Sequence, residues 1–247
     1  MSPKTLYIEG YINIQQESFY SLNSFLSTFP LLENNITQLG NVIILFPFVA
    51  ILIPFAPKLW ESIITSSLLS LIASAVLKKI FSMPRPAAVF DNDSFVIIGQ
   101  ALKGPTSLPS GHSITSFIVI TLVLLALMPK NKWHKAFFTL FMLTLGLVIV
   151  TSRVAVGAHY PLDVIIGSAI GSILAILGIQ IDKKLNWLRA LKNNNSNIIL
   201  IIIILIWGAL VLQHIALENL LISYLAMIPL LTTLSLIIFK INVQEEF

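Results

Sequence analysis

Residues 162–181 read LDVIIGSAIGSILAILGIQI, twenty residues in which Asp163 is the only charge. At a rise of about 1.5 Å per residue such a run covers about 30 Å as an α-helix, the thickness of a bilayer's hydrocarbon core. A backbone in hydrocarbon has to satisfy its own hydrogen bonds, and a helix does so internally. The stretch therefore predicts a transmembrane helix carrying one acid in its first turn that apolar burial does not explain.

The same pattern recurs outward in both directions, at 60–80, 111–128, 136–151, 198–212 and 220–239. No charge occurs from 35 to 57 either, and the apolar run at 43–55 predicts a first span in spite of Pro47 and Pro54 inside it. The last run, 220–239, reads as a span or as a segment along the interface. Composition agrees: 56% of the 247 residues are apolar and 11% charged, where a soluble domain is about 45–50% apolar. The fold class is all-α, a polytopic transmembrane helix bundle of about six or seven spans. Its N-terminal part, 1–35, sets Tyr7, Tyr11, Ile12, Phe19 and Tyr20 among Glu9, Glu17 and Asn23 at roughly helical spacing. That predicts an interfacial amphipathic segment, or equally a cap packed on the spans. The domains follow as 1–35, a membrane domain over 36–181, and C-terminal spans and tail over 182–247.

Positive charge in a membrane protein reports topology before it reports a partner, so the net charge of +4 predicts no nucleic-acid ligand. Lys130, Lys132 and Lys135 share one loop, and Lys183, Lys184, Arg189 and Lys192 another. These loops face the cytoplasm by the positive-inside rule, which puts 81–110, 152–161 and the N-terminal segment outside. The absence of cysteine excludes disulfides, thiolate catalysis and cysteine-held metals. Lys4 is followed by neither a continuous apolar core nor a small-residue cleavage site, so no cleaved signal peptide is expected.

Three polar clusters interrupt the apolar background, all at the outer face, and polar groups at such positions mark sites by default. Lys78 and Arg85 lie seven residues apart, on one face of any continuing helix, although Pro84 and Pro86 end it there. Basic residues at span ends also simply snorkel to the interface. Pro109-Ser110-Gly111-His112 precedes a span, and a helix start offers unpaired N–H groups and positive dipole character to an anion. Ser110 reads equally as an ordinary N-cap. In Ser152-Arg153-x5-His159-x3-Asp163, the last two residues are four apart, a spacing that lets a carboxylate hold one ring N–H while the other nitrogen presents its lone pair. Asp163 also reads as a capping acid with His159 as its neighbour. Phosphoryl transfer needs an attacking group, a proton donor for the leaving oxygen, and cations or N–H groups for the equatorial oxygens. Each has a candidate here.

These segments, Lys78-x6-Arg85-Pro86, Pro109-Ser110-Gly111-His112 and Ser152-Arg153-x5-His159-x3-Asp163, resemble the three signature motifs of the type 2 phosphatidic acid phosphatase superfamily, complete and in order. The resemblance implies a phosphohistidine on His159 oriented by Asp163, with His112 as general acid. It implies phosphate binding by Lys78, Arg85, Ser110, Gly111 and Arg153, with no cofactor and no metal. The expected function is an integral membrane lipid phosphatase of a bacterial-type inner membrane, acting at the outer face on a lipid phosphate or pyrophosphate. The layout of an N-terminal surface segment followed directly by a span is similar to that of undecaprenyl-pyrophosphate phosphatases. Phosphatidylglycerophosphate, phosphatidic acid and lipid A phosphates are the alternatives. The superfamily also includes vanadium haloperoxidases, but those resemble soluble proteins. A non-catalytic lipid-phosphate binder or transporter is the alternative of a different class.

Overall fold

The computed structural model describes residues 3–185 and 196–245, and all of their regular structure is helical. In chain order the helices are α1 (Pro3–Leu26), α2 (Pro30–Gln38), α3 (Val42–Ala50), α4 (Pro57–Phe81), α5 (Pro86–Val89), α6 (Gly111–Ala126), α7 (Lys132–Ala155), α8 (Pro161–Leu185), α9 (Ser196–Glu218) and α10 (Leu221–Glu245). Five of them, α4, α7, α8, α9 and α10, are long and apolar enough to cross a bilayer, and α6 is a shorter apolar helix. Large apolar side chains such as Leu71 and Ile72 on α4, Phe137 and Leu140 on α7 and Ile206 on α9 are exposed. An exposed apolar surface of this kind suits lipid and not water. The chain is a multi-pass membrane protein.

The core of the bundle is α6, held between α4, α7 and α8. Its closest neighbour is α8, because Gly167 and Gly171, one turn apart, let the two backbones meet. A Cβ on Gly171 would press on the Ile114 backbone, and one on Gly167 would lie 2.7 Å from the Ser110 carbonyl oxygen. Helices in lipid gain from such small-residue contacts, since no hydrophobic effect drives them together. The consequence for function is direct: Gly167 seats the start of α6 against the start of α8.

The expected first span is not a single crossing helix. The nine residues of α3 cover about 13 Å, and after Ala50 the chain runs through turns until Pro57 opens α4. Pro54 supplies no N–H to carry a helix through this stretch. The segment is free of charge because it is covered by other helices. Ile44 and Ala50 are fully buried, Phe46 stacks on Trp207 of α9 with ring centroids 3.9 Å apart, and the Trp207 Nε1–H donates to the Ile43 carbonyl at 3.1 Å.

Of the two readings of the N-terminal segment, the packed cap fits. One stripe of α1, comprising Tyr11, Gln15, Phe19 and Asn23 at four-residue spacing, faces α7 and α8. Its opposite side exposes Ile14 and Phe25. Helix directions place Lys130, Lys132, Lys135, Lys183 and Lys184 at the end of the bundle away from the starts of α6 and α8. Arg189 and Lys192 lie outside the described residues.

Candidate active site

Cap chemistry at two helix ends builds the centre of the site. At the end of α7, Gly157 adopts φ +74, the left-handed conformation open to glycine at little cost. The Ala158 N–H then reaches the Arg153 carbonyl at 3.1 Å and the Gly157 N–H the Val154 carbonyl at 3.0 Å, the paired bonds of a Schellman ending. A Cβ on Gly157 would also meet the Val96 carbonyl at 2.8 Å. This ending throws His159 back beneath Arg153, and the His159 N–H joins the same carbonyl at 3.2 Å.

Two residues on, Pro161 opens α8, where its missing N–H and fixed φ cost nothing. Asp163 is its third residue, and its Oδ2 accepts the Tyr160 N–H at 3.0 Å, the backward half of a capping box. The same oxygen lies 3.3 Å from His159 Nδ1. His159 stands outside the helix, so the pair meets across the helix start and not along one helical turn. The capping reading and the partner reading of Asp163 are therefore both true of one carboxylate.

That arrangement fixes the imidazole. With Nδ1–H donated to Asp163, Nε2 carries the lone pair, and it faces Arg85 Nη1 at 3.4 Å. His159 and Asp163 are 1% and 0% exposed. Burial pushes the His159 ionisation down to about 4, against the opposing pull of the Asp163 hydrogen bond and charge. The ring is thus neutral at ordinary pH, as a nitrogen nucleophile has to be.

The other expected residues lie around this pair, within electrostatic range of one or both histidines or at the start of α6 beside them. α4 ends at Phe81 with Ser82 in the left-handed region, so Arg85 is not on the helix of Lys78. A short loop returns it, tied by Arg85 N–H to the Gly104 carbonyl at 3.0 Å, and its Nη1 also donates to the Ala158 carbonyl at 3.1 Å. Arg153 donates to Thr37 Oγ1 of α2 at 2.5 Å, while its buried Nε has no protein partner. Ser110 is the N-cap of α6, accepting from the Ser113 N–H at 3.4 Å, and its own N–H reaches the Asp163 carbonyl at 3.1 Å. The Lys78 ammonium lies 3.7 Å from where a side chain on Gly111 would begin. His112 sits on the first turn of α6, within electrostatic reach of Arg153, His159, Arg85 and Lys78.

Sequence reasoning missed the supports. Ser107 donates to Asp163 Oδ2 at 2.5 Å, Tyr11 donates to Oδ1 at 2.7 Å, and Thr37 holds Arg153. Their contacts span 56, 152 and 116 positions of chain, so no local pattern announces them. Gly157 was legible, as a glycine directly after a helix and two residues before the histidine.

One edge of the site, at Lys78, Gly111 and His112, borders a groove. A groove of about 440 Å³ lined by Gly40, Lys78, Gly111 and His112 shares Val42, Ser70, Leu71 and Thr115 with an apolar groove of about 470 Å³. The second groove continues between α3, α4 and α6 to Trp60 and Trp207. Among the described residues no group of three or more His, Asp or Glu is gathered to hold a metal ion.

Known proteins resemble this chain in sequence and in fold. An undecaprenyl-diphosphatase of Sulfolobus acidocaldarius is 30% identical over 153 residues, 60% of this chain and 68% of that protein. The crystal structure of Aquifex aeolicus LpxE superposes with a TM-score of 0.56 at 26% identity, covering 68% of this chain and 95% of that one. That of the first transmembrane PAP2 type phosphatidylglycerolphosphate phosphatase from Bacillus subtilis gives 0.53 at 22% identity, covering 72% and 92%, and shares the fold. The PAP2 superfamily model matches residues 60–187, more than half of the chain and all three clusters of the site. With its helical membrane bundle and its converging His, Asp, Lys and Arg side chains, the chain belongs to the PAP2 superfamily of lipid phosphatases.

Proposed function

We propose that this protein hydrolyses a lipid diphosphate, undecaprenyl pyrophosphate foremost, at the outer face of a bacterial-type inner membrane, through a phosphohistidine and without a metal ion. The observation that carries the reaction is the buried His159–Asp163 pair, with Nε2 turned toward the guanidinium of Arg85. Arg85, Arg153, Lys78 and the N–H groups at Gly111 receive the phosphoryl oxygens, and Ser110 keeps a hydroxyl proton to donate. The incoming oxygens take over the Arg85 hydrogen that rests on Nε2, which frees the lone pair. Nε2 then attacks phosphorus, the bond to the bridging oxygen breaks, and His112 protonates the departing lipid phosphate. Water attacks the phosphohistidine in the second step, His112 takes its proton, the P–N bond breaks, and inorganic phosphate leaves. Three cations and a helix start supply the charge stabilisation that a metal gives elsewhere.

The substrate reading draws on the similarity to an undecaprenyl-diphosphatase and on the apolar groove that adjoins the headgroup site. The outer face is supported by the lysines gathered at the opposite end of the bundle. The test is phosphate release by purified protein from undecaprenyl pyrophosphate, phosphatidylglycerophosphate, phosphatidic acid and lipid A, compared by kcat/KM, with His159→Ala as control. A preference for the diphosphate that His159→Ala abolishes is expected. Preference for a monophosphate lipid would overturn the substrate, and binding without turnover by wild type would make the protein a binder.

A further inference from the structure

We infer that Tyr11, on a helix outside the family match, is a positioning residue of the phosphatase reaction that holds the orienting carboxylate in plane. The inference rests on the proposed role of Asp163. The two oxygens of that carboxylate are unequally served. Oδ2 takes Ser107 Oγ, the Tyr160 N–H and His159 Nδ1, while Oδ1 takes the Tyr11 hydroxyl at 2.7 Å. A carboxylate held at one oxygen can still swing about its own bond, and each swing takes Oδ2 out of line with Nδ1. A short bond to the far oxygen removes that freedom.

The rest of α1 is built to deliver this hydroxyl. One turn after Tyr11, the buried Gln15 donates from Nε2 to the Tyr11 carbonyl at 3.0 Å and accepts the Leu162 N–H at 2.9 Å, the residue next to Asp163. Phe19 is fully buried among Phe90, Phe95 and Tyr160, its ring centroid 5.2–5.6 Å from theirs. Asn23 donates to the Val96, Val154 and Ala155 carbonyls and accepts the Val96 N–H. Gln15 and Asn23 are 3% and 1% exposed, an expensive choice for a helix that merely rests on a membrane. Apart from the Gln15 bond to the Tyr11 carbonyl, these anchors are made to the end of α7 and the start of α8 that flank His159, to Tyr160 beside it and to the 90–96 segment. Burial and the Asp163 charge raise the Tyr11 hydroxyl above its usual ionisation range, so it remains a donor wherever the enzyme works. Tyr11, Gln15, Phe19 and Asn23 all lie outside the matched residues 60–187, so the N-terminal helix serves the reaction as well as the fold.

The test is Tyr11→Phe, which removes one oxygen and keeps the ring against Tyr160, made alone and on an Asp163→Ala background. The expected result for Y11F alone is a fall in kcat of about tenfold with KM within about twofold, at an unchanged melting temperature in detergent. On the Asp163→Ala background the same change is expected to have no further effect, since Tyr11 acts through that carboxylate. Wild-type turnover by Y11F, or an equal loss on both backgrounds, would overturn the inference. Wild-type turnover by Asp163→Ala would instead overturn the role of Asp163 on which it rests.

Discussion

Asp163→Asn tests the centre of the mechanism with least disturbance of the fold. The amide keeps the shape of the carboxylate and removes one charge. With its oxygen at the Oδ2 position it still accepts from Ser107, Tyr160 and His159, and its NH₂ faces Tyr11, whose hydroxyl can turn from donor to acceptor. The tautomer of His159 is preserved, so what remains to measure is the charge. Forming the phosphohistidine makes the ring cationic. A full charge 3.3 Å from the carboxylate interacts by about 5 kcal/mol at an effective dielectric constant of about 20. About half that charge has developed in the transition state, giving about 2.5 kcal/mol, and about 1.4 kcal/mol is tenfold in rate. The expected loss is therefore about 50- to 100-fold in the rate of phosphoenzyme formation, read by rapid quench with a labelled lipid phosphate. A loss under about fivefold with unchanged tautomer and melting temperature would refute the claim that Asp163 stabilises a charged imidazole.

Three other outcomes are expected. Because burial holds the His159 ionisation near 4, the ring is neutral and free to attack above that pH and protonated below it. After correction for the substrate's own ionisation, kcat/KM is expected to decline near pH 4, and a decline centred near pH 6.5 would contradict the burial. Gly171→Leu places a side chain on the Ile114 backbone and is expected to cost at least about 1–3 kcal/mol, seen as a lower melting temperature in detergent. A melting temperature equal to wild type would mean that α6 and α8 are not in such close contact. Since the chain has no cysteine, single cysteines report topology cleanly: Ser94→Cys is expected to react with an impermeant reagent on intact cells, and Lys132→Cys only after lysis. The reverse pattern would place the site in the cytoplasm.

The motif residues were legible because their spacing is cap chemistry. Gly157 two residues before His159, Pro161 after it and Asp163 at the third position of α8 are local rules, and local rules are written in neighbouring residues. The broken helix at the expected first span shows the limit of such reading. An apolar, charge-free run looks the same whether lipid or other helices cover it, and α3 is covered by α4, α6, α9 and α10.

By itself the sequence determined the helical membrane architecture, through the hydrocarbon's demand for internally satisfied backbones, and singled out the residues proposed for the reaction, through their fixed spacing at helix ends. It determined nothing about which groups steady them. The hydroxyls of Tyr11, Ser107 and Thr37 reach Asp163 and Arg153 from distant parts of the chain. Only tertiary packing decides that, because a hydrogen bond reads separation in space and not in sequence. The His159 that the spacing singled out becomes neutral and oriented, as the proposed nucleophile has to be, only inside that packing.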